Sequence, residues 1–408
     1  MRKNRFLREA QNVLSQMREI RRDLHRNPEV GMEEIRTSRL VAEYLEDLGI
    51  EVKTGVGGTG VIGTIYTKEG GRTVAIRADM DALAMEDKKS VPYASSKRGM
   101  AHSCGHDGYT AMLLGTAKIL CKFSDCLNKG NVRFVFQPSE DRLPGGAIPM
   151  ISGGALRNPK VDGIFSLHLD PGFREGLVAV KSGYSAISSA EFVLTMIGKG
   201  GHVAYPHRIA DPVVMAGMVI VAGQTIVARR VDPLNPTIVA FCSVKGGTAN
   251  NVVPDEVTLT GTIRTLKPET RDGLARLLEE TAQGAAQIGG GDHRLSVEMG
   301  YPSVFNHPDM VGEFKNSARK IAGPESVMDV QVPSMTGEDI SYFHQKIPGV
   351  NWHLGIANPE RGFIHPLHSP VFDFNEEVMP LGAAIHAQSA VDFLINRQGR
   401  PLTHHSGR

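Results

Sequence analysis

Hydrophobic residues recur with two different periods along the chain, and the alternation of these periods predicts the architecture. Residues 6–25 and 33–48 carry the helical period, and a third helix is predicted from about Asp107 to Cys121. Short apolar runs typical of strands lie between and after these helices, at 60–67, 73–80, 131–137 and 161–169. Helices that alternate with buried strands indicate an α/β domain.

The pattern changes in the middle of the chain and then changes back. Strands are predicted at 190–198, 237–247, 256–266 and 293–300, with a buried helix at 213–228 and a second helix at 269–288. Two helices on an antiparallel sheet account for this order. The α/β pattern then returns with a helix near 308–321, a strand at 349–356 and a closing helix at 377–395. These changes predict a first domain segment at 1–184, an inserted domain at 185–298 and a second segment at 299–408.

Composition narrows the possible partners and the compartment. The 45 basic and 44 acidic residues leave no overall charge that would attract nucleic acid or an anionic membrane, so neither partner is expected. The charged first residues lead into an amphipathic pattern, which favours the cytoplasm. Four cysteines in 408 residues are too few for a disulfide framework, so a metal-binding or catalytic cysteine is possible. The tail PLTHHSGR is expected to be disordered and a poor metal site.

Four polar clusters fall where a predicted strand ends or a helix begins, the places where open α/β sheets present their ligands. They are Asp79 and Asp81 in RADMDAL, Cys104 and His106 in HSCGHDG, Glu140 and Asp141 in FQPSED, and the separate histidines His168 and His368. Each cluster alone has an ordinary structural explanation, such as a helix cap, an exposed loop or a buried core histidine.

Taken together, the clusters supply one thiolate, three imidazoles and up to four carboxylates. This mixture suits zinc, manganese or cobalt better than magnesium or calcium. A cysteine protease is an alternative, because Cys104 and His106 imitate a nucleophile and its base, but it leaves the other clusters unexplained.

The motifs that contain these residues resemble those of a known family. Taken in order, the motifs of the chain are similar to those of the M20 metallopeptidases, specifically the amidohydrolase branch with hippurate hydrolases, N-acyl-amino-acid deacylases and auxin-conjugate hydrolases. The motifs that carry the resemblance are RRDLHRNPEVGMEE, RADMDAL, HSCGHDG, FQPSED, HLDP, GKGGHVAYPH, NVVPDEVTLTGTIRT, GEDISYF and HSPVFDFNEE.

The resemblance implies an α/β, zinc-peptidase-like catalytic domain with an inserted α+β lid and dimerisation domain, and a homodimer or higher homo-oligomer. It also implies two divalent metal ions per subunit, Zn, Mn or Co. Their ligands would be Cys104, His106, Asp141, His168 and His368.

Further roles follow from the same resemblance. Glu140 would be the general base, and Asp81 would orient a ligand. His202 would stabilise the developing oxyanion, often in the neighbouring subunit, while Asn251 and Arg264 would hold a substrate carboxylate. Asp107 is expected to cap the helix that follows His106.

The chain departs from the branch at a few positions. Two glutamates usually stand where Glu140 and Asp141 occur, a histidine is common where Tyr109 stands, and Arg142 places an extra cation next to the site. The shorter Asp141 leaves the occupancy of two metals open, and Arg142 is expected to alter substrate preference or metal affinity.

The function that the sequence favours is metal-dependent hydrolysis of the amide bond in N-acyl amino acids or related small-molecule conjugates. One alternative is a degenerate family member that binds metal or ligand without turnover. A carboxypeptidase or a carbamoyl-amide hydrolase is a second alternative, because the same site would cleave any amide that the lid orients.

Overall fold

The computed structural model of the protein describes residues 4–67, 71–127 and 130–396, so the predicted disordered tail at 401–408 lies outside the described residues. The helices are α1 Arg5–Asn12, α2 Leu14–Arg26, α3 Ile35–Asp47, α4 His106–Lys122, α5 Ala147–Ser152, α6 Pro212–Arg230, α7 Pro268–Gly289, α8 Pro308–Ala322, α9 Ile340–His344 and α10 Met379–Asn396. The strands are β1 Glu51–Val56, β2 Gly60–Ile65, β3 Thr73–Asp79, β4 Asn131–Gln137, β5 Gly163–Arg174, β6 Val178–Val180, β7 Gly183–Ala186, β8 Ser188–Ile197, β9 Gly201–His202, β10 Thr237–Lys245, β11 Val252–Val253, β12 Glu256–Thr265, β13 Asp292–Met299, β14 Val304–Asn306, β15 Val327–Asp329 and β16 Gly349–Ala357.

Contacts along the backbone divide the chain into two compact units. The first contains the residues up to Ser185, Phe305–Pro333 and those from Asp339 onward, and the second contains Ala186–Val304 and Ser334–Glu338. The predicted fold class, α/β with an inserted α+β unit, is confirmed. The boundaries 1–184, 185–298 and 299–408 and the lid and dimerisation roles stay predictions.

The first unit is built on an eight-stranded sheet in the order β1-β2-β4-β3-β5-β16-β6-β15. Its central strands β4, β3, β5 and β16 run parallel. Strands β3 and β4 are buried at every position, as expected when helices cover both faces of a parallel sheet. Parallel neighbouring strands bring their carboxyl ends to one edge of the sheet. The polar clusters identified in the sequence lie at or after these strand ends.

The predicted helices of this unit are present, with one difference. The single helix expected at 6–25 is two helices, because Val13 leaves helical geometry between α1 and α2. Helix α4 is buried along nearly its whole length, and it packs against α2, α10 and β3. A helix that is apolar all round needs such cover on every side.

The second unit consists of a four-stranded antiparallel sheet, in the order β10-β12-β8-β13, and the helices α6 and α7. Phe192, Leu194 and Met196 alternate along β8 and are buried, together with Met215 of α6 and Leu278 of α7. The alternation shows that one face of the sheet is the core face, as in other two-layer α+β units.

The expectation that the helix at 213–228 is buried is wrong for one of its faces. Met215 and Val219 are fully buried, but Val213 and Val214 are about half exposed and Val221 is 72% exposed. A two-layer unit covers only the face of α6 that meets the sheet and α7, so the opposite face stays open.

Two described helices are long and apolar enough to cross a membrane by length and composition alone, Pro212–Arg230 and Glu376–Asn396. The apolar window is 33% buried in the first and 89% buried in the second. The core helix of a globular protein passes the same test.

A buried ionic cluster joins α2 to α4. Arg21 is fully buried, with Nε 2.8 Å from Asp107 Oδ2, Nη2 2.6 Å from Asp373 Oδ1 and Nη1 3.3 Å from Glu376 Oε1. Arg21 thus compensates several buried carboxylates at once, and without it they would lose a cation that water cannot replace.

We expect Arg21→Met to lower the free energy of unfolding by about 3–5 kcal/mol, because the substitution keeps the length of the side chain but leaves buried carboxylates unpaired. Urea unfolding followed by circular dichroism measures the change. Arg39→Met is the matched control, since the side chain of Arg39 is 74% exposed and its pair with Glu43 spans 3.8 Å. Equal stability of the two variants would contradict the assigned role of Arg21.

Candidate metal centre

The predicted ligands of the first unit gather at the carboxyl ends of its parallel strands. Asp81 follows β3, Glu140 and Asp141 follow β4, and His168 lies within β5. Cys104 and His106 stand at the start of α4, which begins after Gly105 in a left-handed conformation, φ 89°. Glycine adopts this geometry without strain.

One group of donor atoms comes from Cys104, Asp141 and His368, all within 4.8 Å of one another. His368 Nε2 lies 3.3 Å from Asp141 Oδ1. The sulfur of Cys104 lies 3.8 Å from His168 Nε2, so His168 borders the same space.

A second group, from Asp81, His106 and Asp141, also lies within 4.8 Å. His106 Nε2 is 3.9 Å from Asp141 Oδ2 and 4.0 Å from Glu140 Oε2. Because Asp141 belongs to both groups, all five residues predicted as ligands converge on one region of the first unit, and Glu140 lies beside them.

Two atoms of this region are left without a partner. His106 Nε2 and Asp141 Oδ2 are buried and have no hydrogen-bond partner among residues 4–67, 71–127 and 130–396. An unsatisfied buried polar atom costs about 1–3 kcal/mol. A cation between them would satisfy both, and thiolate, imidazole and carboxylate donors are those that zinc and similar ions accept. The residues therefore fit a metal centre.

Hydrogen bonds behind the donor atoms fix their orientation. His106 Nδ1 lies 3.0 Å from the carbonyl oxygen of Asp81 and 3.1 Å from its Oδ1, while the backbone N–H of Asp141 donates to Asp81 Oδ2 at 3.0 Å. His168 Nδ1 lies 2.7 Å from the carbonyl oxygen of Leu169. A proton on each Nδ1 makes Nε2 the ring nitrogen that carries the lone pair, the arrangement that metal-binding histidines use.

In the first donor group, the thiol of Cys104 and the imidazole of His368 are held in their protonated forms, while Asp141 is held as a carboxylate. Burial raises the pKa of the Cys104 thiol, and the nearby Asp141 raises it further. Burial acts to raise the pKa of Asp141, but the hydrogen bond from His368 and the charges of the neighbouring histidines together outweigh burial, so the pKa falls below its usual range. The same hydrogen bond raises the pKa of His368 to about 10. A divalent cation must displace these protons, so metal binding and protonation compete.

The two buried histidines differ. Burial lowers the pKa of His168 to about 3, and the neighbouring His353 lowers it further, so this ring is neutral and ready to act as a ligand. Burial lowers the pKa of His106 as well, but Cys104 and Asp81 together raise it well above its usual value. A proton and a cation therefore compete for His106 Nε2.

Tyr109 links both sides of the region, which the sequence did not indicate. Its hydroxyl donates to the carbonyl oxygen of Cys104 at 2.9 Å and accepts from the N–H of Leu169 at 3.0 Å. Its ring centre lies 5.2 Å from that of His106 and 5.4 Å from that of His168. Tyr109 thus braces the backbone beside two predicted ligands.

The expected helix cap at Asp107 is wrong. No side chain in the described part of the chain caps α4, and Asp107 is buried in the ionic cluster of Arg21, with Oδ2 also 2.6 Å from His25 Nδ1. Asp79 pairs with Arg77 and lies outside both donor groups. Burial raises the pKa of Asp79 to about 7, although Arg77 opposes the shift. Arg142 is exposed, and its predicted effect on substrate or metal stays a prediction.

Three predicted residues lie in the second unit, so their roles stay predictions. His202 is exposed, and its Nδ1 accepts from the N–H of Ala204 at 3.1 Å. Asn251 is exposed, and its carbonyl oxygen accepts from Val203 N. Arg264 Nη1 donates to the carbonyl oxygen of Met335 at 2.8 Å.

His353 is a neighbour of the site, and the sequence analysis did not identify it. It pairs with His168 across β16 and β5, and the two rings lie 5.9 Å apart. Its Nδ1 lies 3.1 Å from Asp170 Oδ2. A polar residue inside the apolar strand GVNWHLGI was the available signal.

The chain is similar to known proteins in sequence and in fold. The sequence model of Peptidase family M20/M25/M40 matches residues 75–392. The chain is 38% identical to thermostable carboxypeptidase 2 of Saccharolobus solfataricus, over 92% of this chain and 94% of the relative. It is 34% identical to N-acetylcysteine deacetylase of Bacillus subtilis, over 91% of this chain and 95% of the relative.

A solved structure is also similar: the YXEP protein of Bacillus subtilis, a dinuclear metal binding peptidase from the M20 family. Its TM-score is 0.81 at 31% identity, over 94% of this chain and 99% of that one. The fold and the donor set therefore define a metal-dependent hydrolase. The chain belongs to peptidase family M20/M25/M40.

We expect Cys104→Ala to weaken metal binding at least about tenfold, because even residues that only orient a ligand contribute that much. Elemental analysis after dialysis against buffers of fixed free Zn²⁺ or Mn²⁺ measures the affinity. Cys242→Ala is the matched control, since Cys242 is exposed in the second unit. Unchanged metal content in the Cys104 variant would remove it from the ligand set.

Proposed function

We propose that this protein hydrolyses the amide bond of N-acyl amino acids or related amide conjugates, with Glu140 as the general base. The observation that carries the proposal is the convergence of Cys104, His106, Asp141, His168 and His368 beside the carboxylate of Glu140. The similarity to N-acetylcysteine deacetylase supports the choice of substrate class.

In this proposal those five residues hold two divalent ions, Zn, Mn or Co. Such ions, when bound, polarise the carbonyl group of the amide and lower the pKa of water toward neutrality. Asp81 keeps His106 in the tautomer that presents Nε2. The one-methylene shortening at Asp141 is tolerated, since its two oxygens still reach to 3.3 Å from His368 and 3.9 Å from His106.

Glu140 moves the protons. It is 4% exposed, and its Oε2 lies 4.0 Å from His106 Nε2, so it stands next to the ligands. A carboxylate in this position accepts a proton from the attacking water and returns it to the nitrogen of the leaving amine. His202 stabilises the negative oxygen that forms on the former carbonyl carbon. Asn251 and Arg264 bind the carboxylate of the amino-acid part, for which the guanidinium fork of Arg264 is suited.

Cleavage of peptides from the carboxyl end is the second candidate, and the similarity to thermostable carboxypeptidase 2 favours it. Both reactions break an amide next to a free carboxylate. They differ in whether the acyl side is a simple acyl group or a peptide.

The purified protein, loaded with Mn²⁺, Co²⁺ or Zn²⁺, should release amine from N-acetyl, N-benzoyl or N-indolylacetyl amino acids faster than from dipeptides or N-carbamoyl amino acids. Amine release across this panel, with and without added metal, is the measurement. Faster turnover of peptides would favour the carboxypeptidase, and faster turnover of N-carbamoyl substrates would favour the carbamoyl-amide hydrolase. No turnover on any substrate, with metal and substrate bound, would indicate a binding protein.

Glu140→Gln is the matched variant for the same assay. It keeps the size of the side chain but cannot accept a proton, so metal content should remain while kcat falls by at least about 100-fold, the lower part of the range for general base catalysis. An active Glu140→Gln protein would show that another group is the base.

We also propose that the protein acts on a small-molecule substrate in the cytoplasm as a homodimer or higher homo-oligomer. The open face of α6 and α7 supports the assembly, because it exposes Met218, Val221 and Ile288, the last two at 72% and 75%. Large exposed apolar side chains on neighbouring helices are typical of an interaction surface.

Sedimentation velocity should therefore show a dimer or larger species, and Val221→Lys combined with Ile288→Lys should shift it to monomer, because two charges would be buried at the interface. Val332→Lys is the control, since Val332 is also 75% exposed but belongs to the first unit. A wild-type protein that sediments only as monomer would contradict the assembly and a role of His202 in a neighbouring subunit.

A further inference from the structure

A buried carboxylate outside the two donor groups lies next to the proposed base. Asp339 is fully buried at the start of the short helix α9. Its Oδ1 accepts from Arg77 Nη2 at 2.5 Å, and its two oxygens accept from Gln137 Nε2 at 2.8 and 2.7 Å. The backbone N–H of Ala147 donates to Oδ2 at 3.0 Å. This carboxylate is thus held from three directions.

The donors belong to the elements that carry the site. Arg77 lies in β3, four residues before Asp81, and Gln137 ends β4, three residues before Glu140. Ala147 is the first residue of α5, on the far side of the loop that carries Glu140. The carboxylate of Asp339 therefore joins both strand ends and the end of the loop between β4 and α5.

The backbone of the same residue reaches Glu140. The N–H of Asp339 donates to Glu140 Oε1 at 3.4 Å, in a buried setting. Glu140 Oε2 is the oxygen that faces His106 Nε2. A donor on one oxygen fixes the rotation of the carboxyl group and leaves the other oxygen toward the predicted ligands.

We propose that Asp339 is a positioning residue for Glu140. Its side chain, anchored by Arg77, Gln137 and Ala147, fixes a peptide N–H that in turn fixes the base. A base that is displaced by a fraction of an ångström transfers protons much more slowly, whereas substrate binding is unaffected. This inference rests on the proposed role of Glu140 and adds a residue to it.

Asp339 also lies at a boundary between the two units along the chain. Ser334–Glu338 belongs to the second unit, so Asp339 is the first residue after the chain re-enters the first unit. Within the second unit, Arg264 holds this short segment through the carbonyl oxygen of Met335. One peptide bond therefore separates a segment of the second unit from the anchor of the base.

Asp339→Asn tests the proposal, because it keeps the size of the side chain but replaces one acceptor by a donor that cannot bond to Gln137 or Ala147. We expect kcat to fall by about tenfold or more, with KM changed less than about twofold and with metal content unchanged. The solvent deuterium isotope effect on kcat should rise, since proton transfer to a displaced base becomes slower. Gln137→Leu should give a smaller loss with the same pattern.

The matched control is Asp392→Asn. Asp392 is also a buried carboxylate, 7% exposed, but it lies in α10 and accepts from Ser317 and Lys320. Asp392→Asn should lower the melting temperature and leave kcat within about twofold of the wild-type value. Both variants are assayed at a temperature at which circular dichroism shows them folded.

A double-mutant cycle separates positioning from general damage. In a Glu140→Asp background the carboxylate is one methylene shorter and should no longer reach the N–H of Asp339. Adding Asp339→Asn to this background should lower kcat less than about threefold, because the effects of residues that act on one another are not additive. Full additivity, an unchanged kcat in the single variant, or loss of metal would each overturn the proposal. Failure of the proposed function would give different results: the wild-type protein would lack amidase activity, or the Glu140→Gln protein would keep it.

Discussion

The carboxylate of Asp141 is the point on which the site depends. It lies in both donor groups, with one oxygen toward His368 and the other toward His106, and the second oxygen is buried without a hydrogen bond from the described residues. A buried carboxylate oxygen without a partner is stable only if a cation or a proton completes it. The neighbouring thiol and imidazoles make a divalent cation the better complement.

The surroundings of this carboxylate explain how so many polar groups remain ordered at a sheet edge. Asp81 fixes His106 from behind, Tyr109 ties the backbone of Cys104 to that of Leu169, and Arg21 neutralises Asp107 beneath the start of α4. Each contact is buried, so it is strengthened by low polarity and would be costly to leave incomplete. The donor atoms are therefore held in place by the folded chain.

Much of this arrangement could be predicted from the sequence because it follows local rules. The periods of 3.6 and 2 gave nearly all long helices and central strands, and polar clusters at strand ends gave the region of the site. Contacts between distant residues were not accessible: Asp107 resembles a helix cap in sequence but meets Arg21, and His353 becomes a neighbour of His168 only through strand register. The open face of α6 was missed because periodicity does not reveal how many layers cover a helix.

Because a single carboxylate belongs to both donor groups, two cations held by these groups would not bind independently. An ion held by one group would withdraw electron density from Asp141 and fix its rotation, so it would change what the other group offers. By linkage the effect would be mutual, so the binding of two such ions would be thermodynamically coupled. The affinity measured for one ion would therefore depend on whether the other is in place.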